Sequence, residues 1–296
     1  MQGLFLYFLK MAISKKIFGR YAPSPTGDLH LGNIRTALLA WLQVRSQGGK
    51  FLLRMEDLDV PRVVKGSAEQ ILLDLEWLGI DWDGPVVYQS QRTHLYEDAL
   101  KALAKQGLIY PCYCSRKDIQ QAVSAPHNQG AIYPGTCRNL SNAERIEKAK
   151  FKVPSLRVEV DGDLVDSCGD FVVKRADGLF AYQMAVVVDD LEQGVTHVLR
   201  GRDLLESTAR QQYLASKLSP EPAQMEYTHV PLMLDEAGAR LSKRDGSLSV
   251  AEYKAQGYCA EKLIGELAFS LGLVDSKEPV GLMGLLNNIN ERLDML

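Results

Sequence analysis

The sequence predicts an α/β protein built around a doubly wound parallel sheet. Three observations carry that expectation. Short apolar runs of strand length alternate with segments of helical period, a tight Pro- and Gly-bearing turn joins the first strand to the first helix, and a Cys-rich irregular stretch interrupts the alternation midway. A chain of 296 residues, 46% hydrophobic and 24% charged, is long enough for one large domain or two linked ones with real cores.

Taken in order, residues 1–16 are expected to form an N-terminal extension without fixed structure. Leu4, Phe5, Leu6, Tyr7, Phe8 and Leu9 resemble the apolar part of a secretion signal, but the run is short and lacks a basic start and a small-residue cleavage site. Met11 follows at once and is an alternative start. Residues 17–109 read as the first half of the main domain. Ile17 to Ala22 forms a strand, a Pro23-Ser24-Pro25-Thr26-Gly27 turn follows, and Ile34, Leu38, Trp41 and Leu42 mark a helix. Phe51 to Met55 is the next strand. Ile71, Leu72, Leu75 and Leu78 mark a second helix, and Leu95, Leu100 and Leu103 a third.

Residues 110–155 are rich in Cys, Pro, Gly and polar residues and read as an insertion. Strand-like runs then return at Leu156 to Val160, Phe171 to Lys174, Ala185 to Val188 and Val195 to Leu199, with a helix over Ser207 to Leu218. They are expected to resume the main sheet as its second half, residues 156–247, which ends in a polar loop over Asp235 to Ser247. Residues 248–296 form a short helical region with Leu263, Leu267 and Leu271 on one face. No stretch approaches the roughly 20 apolar residues of a membrane span. Five cysteines, an odd number, fit a reducing cytoplasm better than a disulfide framework. With a net charge of −3, any nucleic-acid contact must come from a local patch.

Chemistry concentrates first in the string from Pro23 to Asn33, between the first strand and the first helix. There backbone N–H groups and the helix dipole attract phosphate. Gly32 lets a flat base approach the backbone, and His30 can donate to a phosphate oxygen as charge develops. The whole string resembles the signature of class I aminoacyl-tRNA synthetases in its glutamyl and glutaminyl form. Those enzymes carry a second, Lys-Met-Ser-Lys-Ser-like loop late in a Rossmann-type catalytic domain, and Arg240-Leu241-Ser242-Lys243-Arg244 stands in that place. The resemblance implies ATP contacts at Pro23, Thr26, Gly27, His30, Gly32, Asn33, Arg240, Ser242 and Lys243, with His30 and Lys243 stabilising charge on the phosphates. Arg240 and Arg244 depart from the pattern and keep or add charge. Magnesium would accompany ATP, held mainly by phosphates and water.

A glutamate pocket needs an acid for the ammonium and cations for two carboxylates. Arg20 and Glu56 lie at the ends of the first two strands, where such sheets bind ligands. Phe180-Ala181-Tyr182 and Leu199-Arg200-Gly201-Arg202-Asp203 resemble the family's other amino-acid-binding segments. Together these imply glutamate contacts at Arg20, Ala22, Ser24, Glu56, Tyr182 and Arg200. Trp82-Asp83 and Tyr88-Gln89-Ser90-Gln91-Arg92 extend the likeness, which runs from about Arg20 to Arg244.

Cys112, Cys114 and Cys137 lie in the insertion, where three thiolates without a core suggest one structural zinc. Chemistry alone nominates His127 as the fourth ligand. The Cys-x-Cys then Tyr-x-x-x-Cys pattern resembles that of the glutamyl-queuosine tRNA(Asp) synthetases and implies Tyr133 instead. Cys168 and Cys259 have no partner spacing and are expected to be packing residues. Only Leu248 to Leu296 follow the second signature, too little for the helical anticodon-binding region of full glutamyl-tRNA synthetases. The narrower resemblance therefore implies L-glutamate and ATP as substrates and tRNA(Asp) bearing queuosine as acceptor, with a monomeric enzyme. The alternatives are a shortened glutamyl-tRNA synthetase acting on the terminal adenosine and a non-catalytic RNA-binding paralogue.

Overall fold

A computed structural model describes residues 16–115, 117–119, 132–219, 225–231, 233 and 248–288. Residues 1–15, His127 and the second signature from Arg240 to Arg244, with Ser242 and Lys243, lie outside them. Strand β1 (Phe18–Tyr21) runs through the centre of the main sheet, and α1 (Leu31–Arg45) returns across it. The strand β2 (Lys50–Met55) pairs with β1 in parallel, Phe18 opposite Lys50 and Tyr21 opposite Leu53. Beyond β2 come α2 (Ser67–Trp77), the short β3 (Val87–Tyr88) and α3 (Thr93–Lys105).

The helical reading of the first segment holds because Ile34, Leu38 and Leu42 recur at helical spacing and are all buried. They pack on Phe51, Leu53 and Met55 of β2 and on Ile71 and Leu75 of α2 in a single core. That core also takes in Leu263, Ile264 and Leu267 of α9 (Ala260–Ser270), so the C-terminal helices are bound to the first half of the sheet.

The strand β4 (Ile109–Cys112) leaves the main sheet. It pairs antiparallel with β5 (Ser155–Val158), which pairs antiparallel with β6 (Phe171–Lys174). The expected strands at Leu156 and Phe171 therefore exist, but they build a separate three-stranded sheet rather than resume the main one. Helix α4 (Asn142–Ala149) precedes β5, and the one-turn α5 (Leu164–Ser167) lies between β5 and β6.

The expected strand at Ala185 to Val188 is the middle of a helix, α6 (Tyr182–Glu192). Valine's preference for strand spans only about 1 kcal/mol. Here Met184, Ala185, Val186, Val187 and Val188 are all buried, and burial on every side overrides it. The main sheet resumes only at β7 (His197–Gly201). This strand pairs in parallel with β1 and with β8 (Glu226–Val230), while α7 (Ser207–Leu218) joins β7 to β8. The strand order β3-β2-β1-β7-β8 is wholly parallel and reverses direction at β1, so a crevice opens there at the C-terminal ends of β1 and β7. The chain closes with α8 (Val250–Ala255), α9 and α10 (Leu282–Asn288). No described helix is long and apolar enough to cross a membrane.

Candidate active site

The crevice at the sheet's switch point is a cleft of about 870 Å³. It is lined by Arg20, Ala22, Pro23, Ser24, Thr26, Gly27, His30, Gly32, Asn33, Glu56, Tyr182 and Arg200, every described residue in which the sequence placed ATP or glutamate contacts. The turn between β1 and α1 is shaped by two glycines. Gly27 has φ of 127°, in the left-handed region, and is tied to Ser67 at both ends of its peptide, its N–H donating to Oγ at 3.1 Å and its C=O accepting from it at 2.8 Å. At Gly32 an added Cβ would stand 3.3 Å from Cε1 of His30, so the glycine leaves room for the imidazole. His30 is the N-cap residue of α1, and its backbone N–H donates to Oδ1 of Asn33 at 3.4 Å. The start of α1, at His30, Gly32 and Asn33, thus lines the cleft.

On the floor of the cleft lies a buried charge network that the sequence reading missed. Arg20 donates through Nε to Oδ1 of Asp190 at 3.2 Å. Arg54, wholly buried, reaches Oδ1 of Asp190 at 2.8 Å, Oδ2 of Asp189 at 3.7 Å and Oε1 of Glu56 at 3.7 Å. Asp189 also accepts from Arg92 at 2.6 Å and from Gln89 and Tyr96 at 2.8 Å each. Burial opposes a charge on Asp190, but Arg20 and Arg54 outweigh it and hold the carboxyl below its usual range. Glu56 is the opposite case. Burial dominates and pushes it up to about 7, despite the pull of Arg54 and Arg20.

Across the cleft, Arg200 is held by neutral groups. Its Nε donates to Nε2 of His229 at 3.2 Å, one terminal nitrogen to Gln211 at 2.5 Å and the other to Thr208 at 2.9 Å. Its guanidinium carbon lies 5.1 Å from the centre of the Tyr227 ring. Burial and the charge of Arg200 lower the pKa of His229, which keeps the imidazole neutral and able to accept. Arg200 therefore brings a positive charge with no carboxylate partner among the described residues, whereas Arg20 is already balanced by Asp190.

Two further arginines line the cleft. Arg35 on α1 is half-buried, with one 3.5 Å contact to the carbonyl of Pro231, and burial lowers its pKa. Arg62 is exposed on the short 3-10 turn Val60–Arg62. Both fall outside the two signatures, so motif matching had no means of finding them. Asp190 did leave a signal. Two adjacent acids at the C-terminal end of a helix oppose its dipole and need cations, but the signal exists only once Val186 to Val188 are read as helix.

The three cysteines of the insertion converge. The sulfurs of Cys112, Cys114 and Cys137 lie within 4.8 Å of one another, with Cys114 and Cys137 at 3.6 Å. That matches the edge of about 3.8 Å expected for a tetrahedron with Zn–S bonds of ~2.3 Å. The phenol of Tyr133 stands 3.4 Å from Cys112, 3.7 Å from Cys114 and 2.8 Å from the N–H of Cys137, at the fourth corner. The guanidinium of Arg157 lies 3.8 Å from the centre of the Tyr133 ring. These residues fit a zinc ion. Of the other two cysteines, Cys168 is buried as expected, while Cys259 is exposed at the N-cap position of α9, makes no capping bond through its side chain and does not fill a core.

Comparison with known proteins places the chain in a family. The family model for the catalytic domain of class I tRNA synthetases (E and Q) matches residues 16–278. The glutamyl-Q tRNA(Asp) synthetase of Nocardia farcinica is 52% identical over 268 residues, covering 86% of this chain and 85% of that one. The protein of the same name from Symbiobacterium thermophilum is 50% identical over 289 residues, covering 88% of each chain. The crystal structure of glutamate-tRNA synthetase from Elizabethkingia anophelis matches with a TM-score of 0.78 at 28% identity, over 93% of this chain and 66% of that one. This chain thus spans about two thirds of that synthetase. With the catalytic-domain model matched over most of its length and relatives at half identity, the chain belongs to the class I tRNA synthetases of the glutamate and glutamine branch, in the glutamyl-Q tRNA(Asp) synthetase family.

Proposed function

We propose that this chain activates L-glutamate with ATP and passes the glutamyl group to queuosine in the anticodon loop of tRNA(Asp). The observation that carries the reading is the meeting of Arg20, Arg200 and Glu56 in one cleft with the Pro23–Asn33 turn at the start of α1. The acceptor is taken from the names of the relatives at half identity.

In the first step an oxygen of the glutamate α-carboxylate attacks the α-phosphorus of ATP. The bond to the β-phosphate breaks, and glutamyl-adenylate and pyrophosphate form. Glu56 pairs the substrate ammonium, while Arg20, Arg200 and Tyr182 hold its carboxylates and Ala22 and Ser24 complete the pocket wall. Pro23, Thr26, Gly27, Gly32 and Asn33 seat the nucleotide. His30 and the charge of Lys243, with Arg240 and Ser242 beside it in sequence, stabilise the phosphates as negative charge builds. Arg35 and Arg62 supply further cations on the same wall. Magnesium enters with ATP. In the second step a hydroxyl of the queuosine cyclopentenediol attacks the activated carbonyl. The bond from that carbon to the phosphate oxygen breaks, AMP leaves, and its phosphate takes up the hydroxyl proton.

Cys112, Cys114, Tyr133 and Cys137 would hold a zinc ion that braces the insertion, and no step passes through it. A cytoplasmic, monomeric enzyme is the setting that accompanies this reading. The test offers labelled glutamate, ATP and tRNA(Asp) with or without queuosine at the first anticodon position. Label should stay on the queuosine-bearing tRNA alone. Equal labelling of both would move the acceptor to the terminal adenosine.

A further inference from the structure

Outside the cleft, one surface is built in a way that its own fold does not require. Helix α4 ends at Ala149, and the chain runs on through Lys150, Phe151, Lys152 and Val153 before β5. Phe151 is 81% exposed, Val153 68% and Ile146 65%, three large apolar side chains within eight residues. Lys148, Lys150 and Lys152 are exposed among them. Between Ser141 and Val153 there are four basic residues and two acidic ones. Glu144 is committed to the capping box of α4, accepting from the Ser141 N–H at 2.7 Å, and Glu147 pairs with Lys150.

Lysines at a helix C-terminus are stabilised by its dipole, which accounts for Lys148 and Lys150. It does not account for an aromatic ring left in water between two of them. Nor is the segment loose. The Tyr113 hydroxyl donates to the carbonyl of Arg145 at 3.0 Å, and Lys152 donates to the carbonyl of Tyr113, which stands between Cys112 and Cys114. An 81% exposed ring between two lysines, on a segment anchored to Tyr113 on either side of it, matches a nucleic-acid strand, whose bases stack and whose phosphates pair with lysine. Protein–protein interfaces also favour exposed Phe but are depleted in Lys, so it is the lysines flanking the ring that favour a nucleic-acid strand.

We propose that the end of α4 and the segment to β5 form a docking surface for an unpaired stretch of the substrate tRNA. Phe151 is its stacking platform, and Lys148 and Lys152 are its phosphate contacts. The inference rests on the tRNA reading above and adds a place on the protein where the RNA binds. The test measures binding of fluorescently labelled queuosine-bearing tRNA(Asp) by anisotropy at several salt concentrations. The proteins compared are wild type, Phe151→Ala, Phe151→Trp and a Lys148→Gln/Lys152→Gln double variant. Loss of one base stack raises Kd about tenfold in Phe151→Ala, and Phe151→Trp restores it. The double variant lowers the slope of log K against log salt by roughly 0.7 for each lysine. Glutamate-dependent pyrophosphate exchange and thermal melting serve as folding controls. Wild-type Kd in Phe151→Ala, with wild-type tRNA binding intact, overturns the surface alone. A wild-type protein that exchanges pyrophosphate but binds no tRNA overturns the surface together with the RNA half of the proposed function.

Discussion

Glu56 makes the pH dependence of glutamate binding a direct test of the pocket. In the ligand-free protein its carboxyl is raised from 4.5 to about 7, because burial outweighs the attraction of Arg54 and Arg20. A pKa raised above the unfolded value means the folded protein holds this proton more tightly than the unfolded chain does. Stability from this group is therefore greatest below pH 4.5 and falls as pH rises towards 7, by about 3 kcal/mol in all. An ammonium placed against the carboxylate lowers its pKa by ~2 units, in the range set by an opposite charge at 4–6 Å. Glutamate affinity then rises roughly 25-fold between about pH 5 and 7 and about 100-fold over the whole titration, levelling off above about pH 8, equivalent to about 3 kcal/mol in all. At pH 6 about 0.8 proton is released for each glutamate bound on those values. Titration calorimetry in two buffers of different ionisation enthalpy reads the proton directly. Glu56→Gln should abolish the release, flatten the pH profile and, without ligand, raise the melting temperature at pH 8. An unchanged profile in Glu56→Gln, or heats that do not depend on the buffer, would refute the assignment of the ammonium to Glu56.

Asp190→Asn removes the partner of both Arg20 and Arg54 and leaves two buried cations short of a counter-charge. Urea unfolding should show a loss of about 3–5 kcal/mol. Pyrophosphate exchange should show a raised KM for glutamate with a smaller change in KM for ATP; equal shifts in the two would mean that Asp190 does not position Arg20. For the insertion, elemental analysis of the native protein should find one zinc per chain, and Cys112→Ser should release it and lower the melting temperature. Native protein without zinc would remove the metal site.

What the sequence revealed is what short range determines. The helical spacing of Ile34, Leu38 and Leu42 and the turn from Pro23 to Gly27 depend on neighbours a few residues away, and both stand where they were read. The separate sheet of β4, β5 and β6 was not legible, because a strand's sequence does not name its partner. Nor was α6, where three consecutive valines favour strand by local preference and only burial on all sides reverses it. The cleft residues gathered by motif share one wall system, but the acids beneath Arg20 depended on the misread helix and so stayed hidden. Arg35 and Arg62 carry no motif, and only the fold brings them to the cleft.

The central position of β1 sets an order of assembly. One edge of the strand finds β2 within about thirty residues of chain, and Phe18 then lies opposite Lys50. The other edge waits for β7, where Gly19 lies opposite His197, and the Phe18 N–H meets Thr196 across a separation of 178 residues. During synthesis at roughly 5–20 residues per second, the N-terminal half stands for many seconds with an open row of backbone donors and acceptors. Such an edge invites pairing with other chains until β7 arrives. The cleft shares that schedule, since Arg20 comes at the start of the sheet and Arg200 at its completion. A nascent chain stalled before residue 197 would hold Arg20 and Glu56 but no Arg200, and would be both inactive and prone to aggregate.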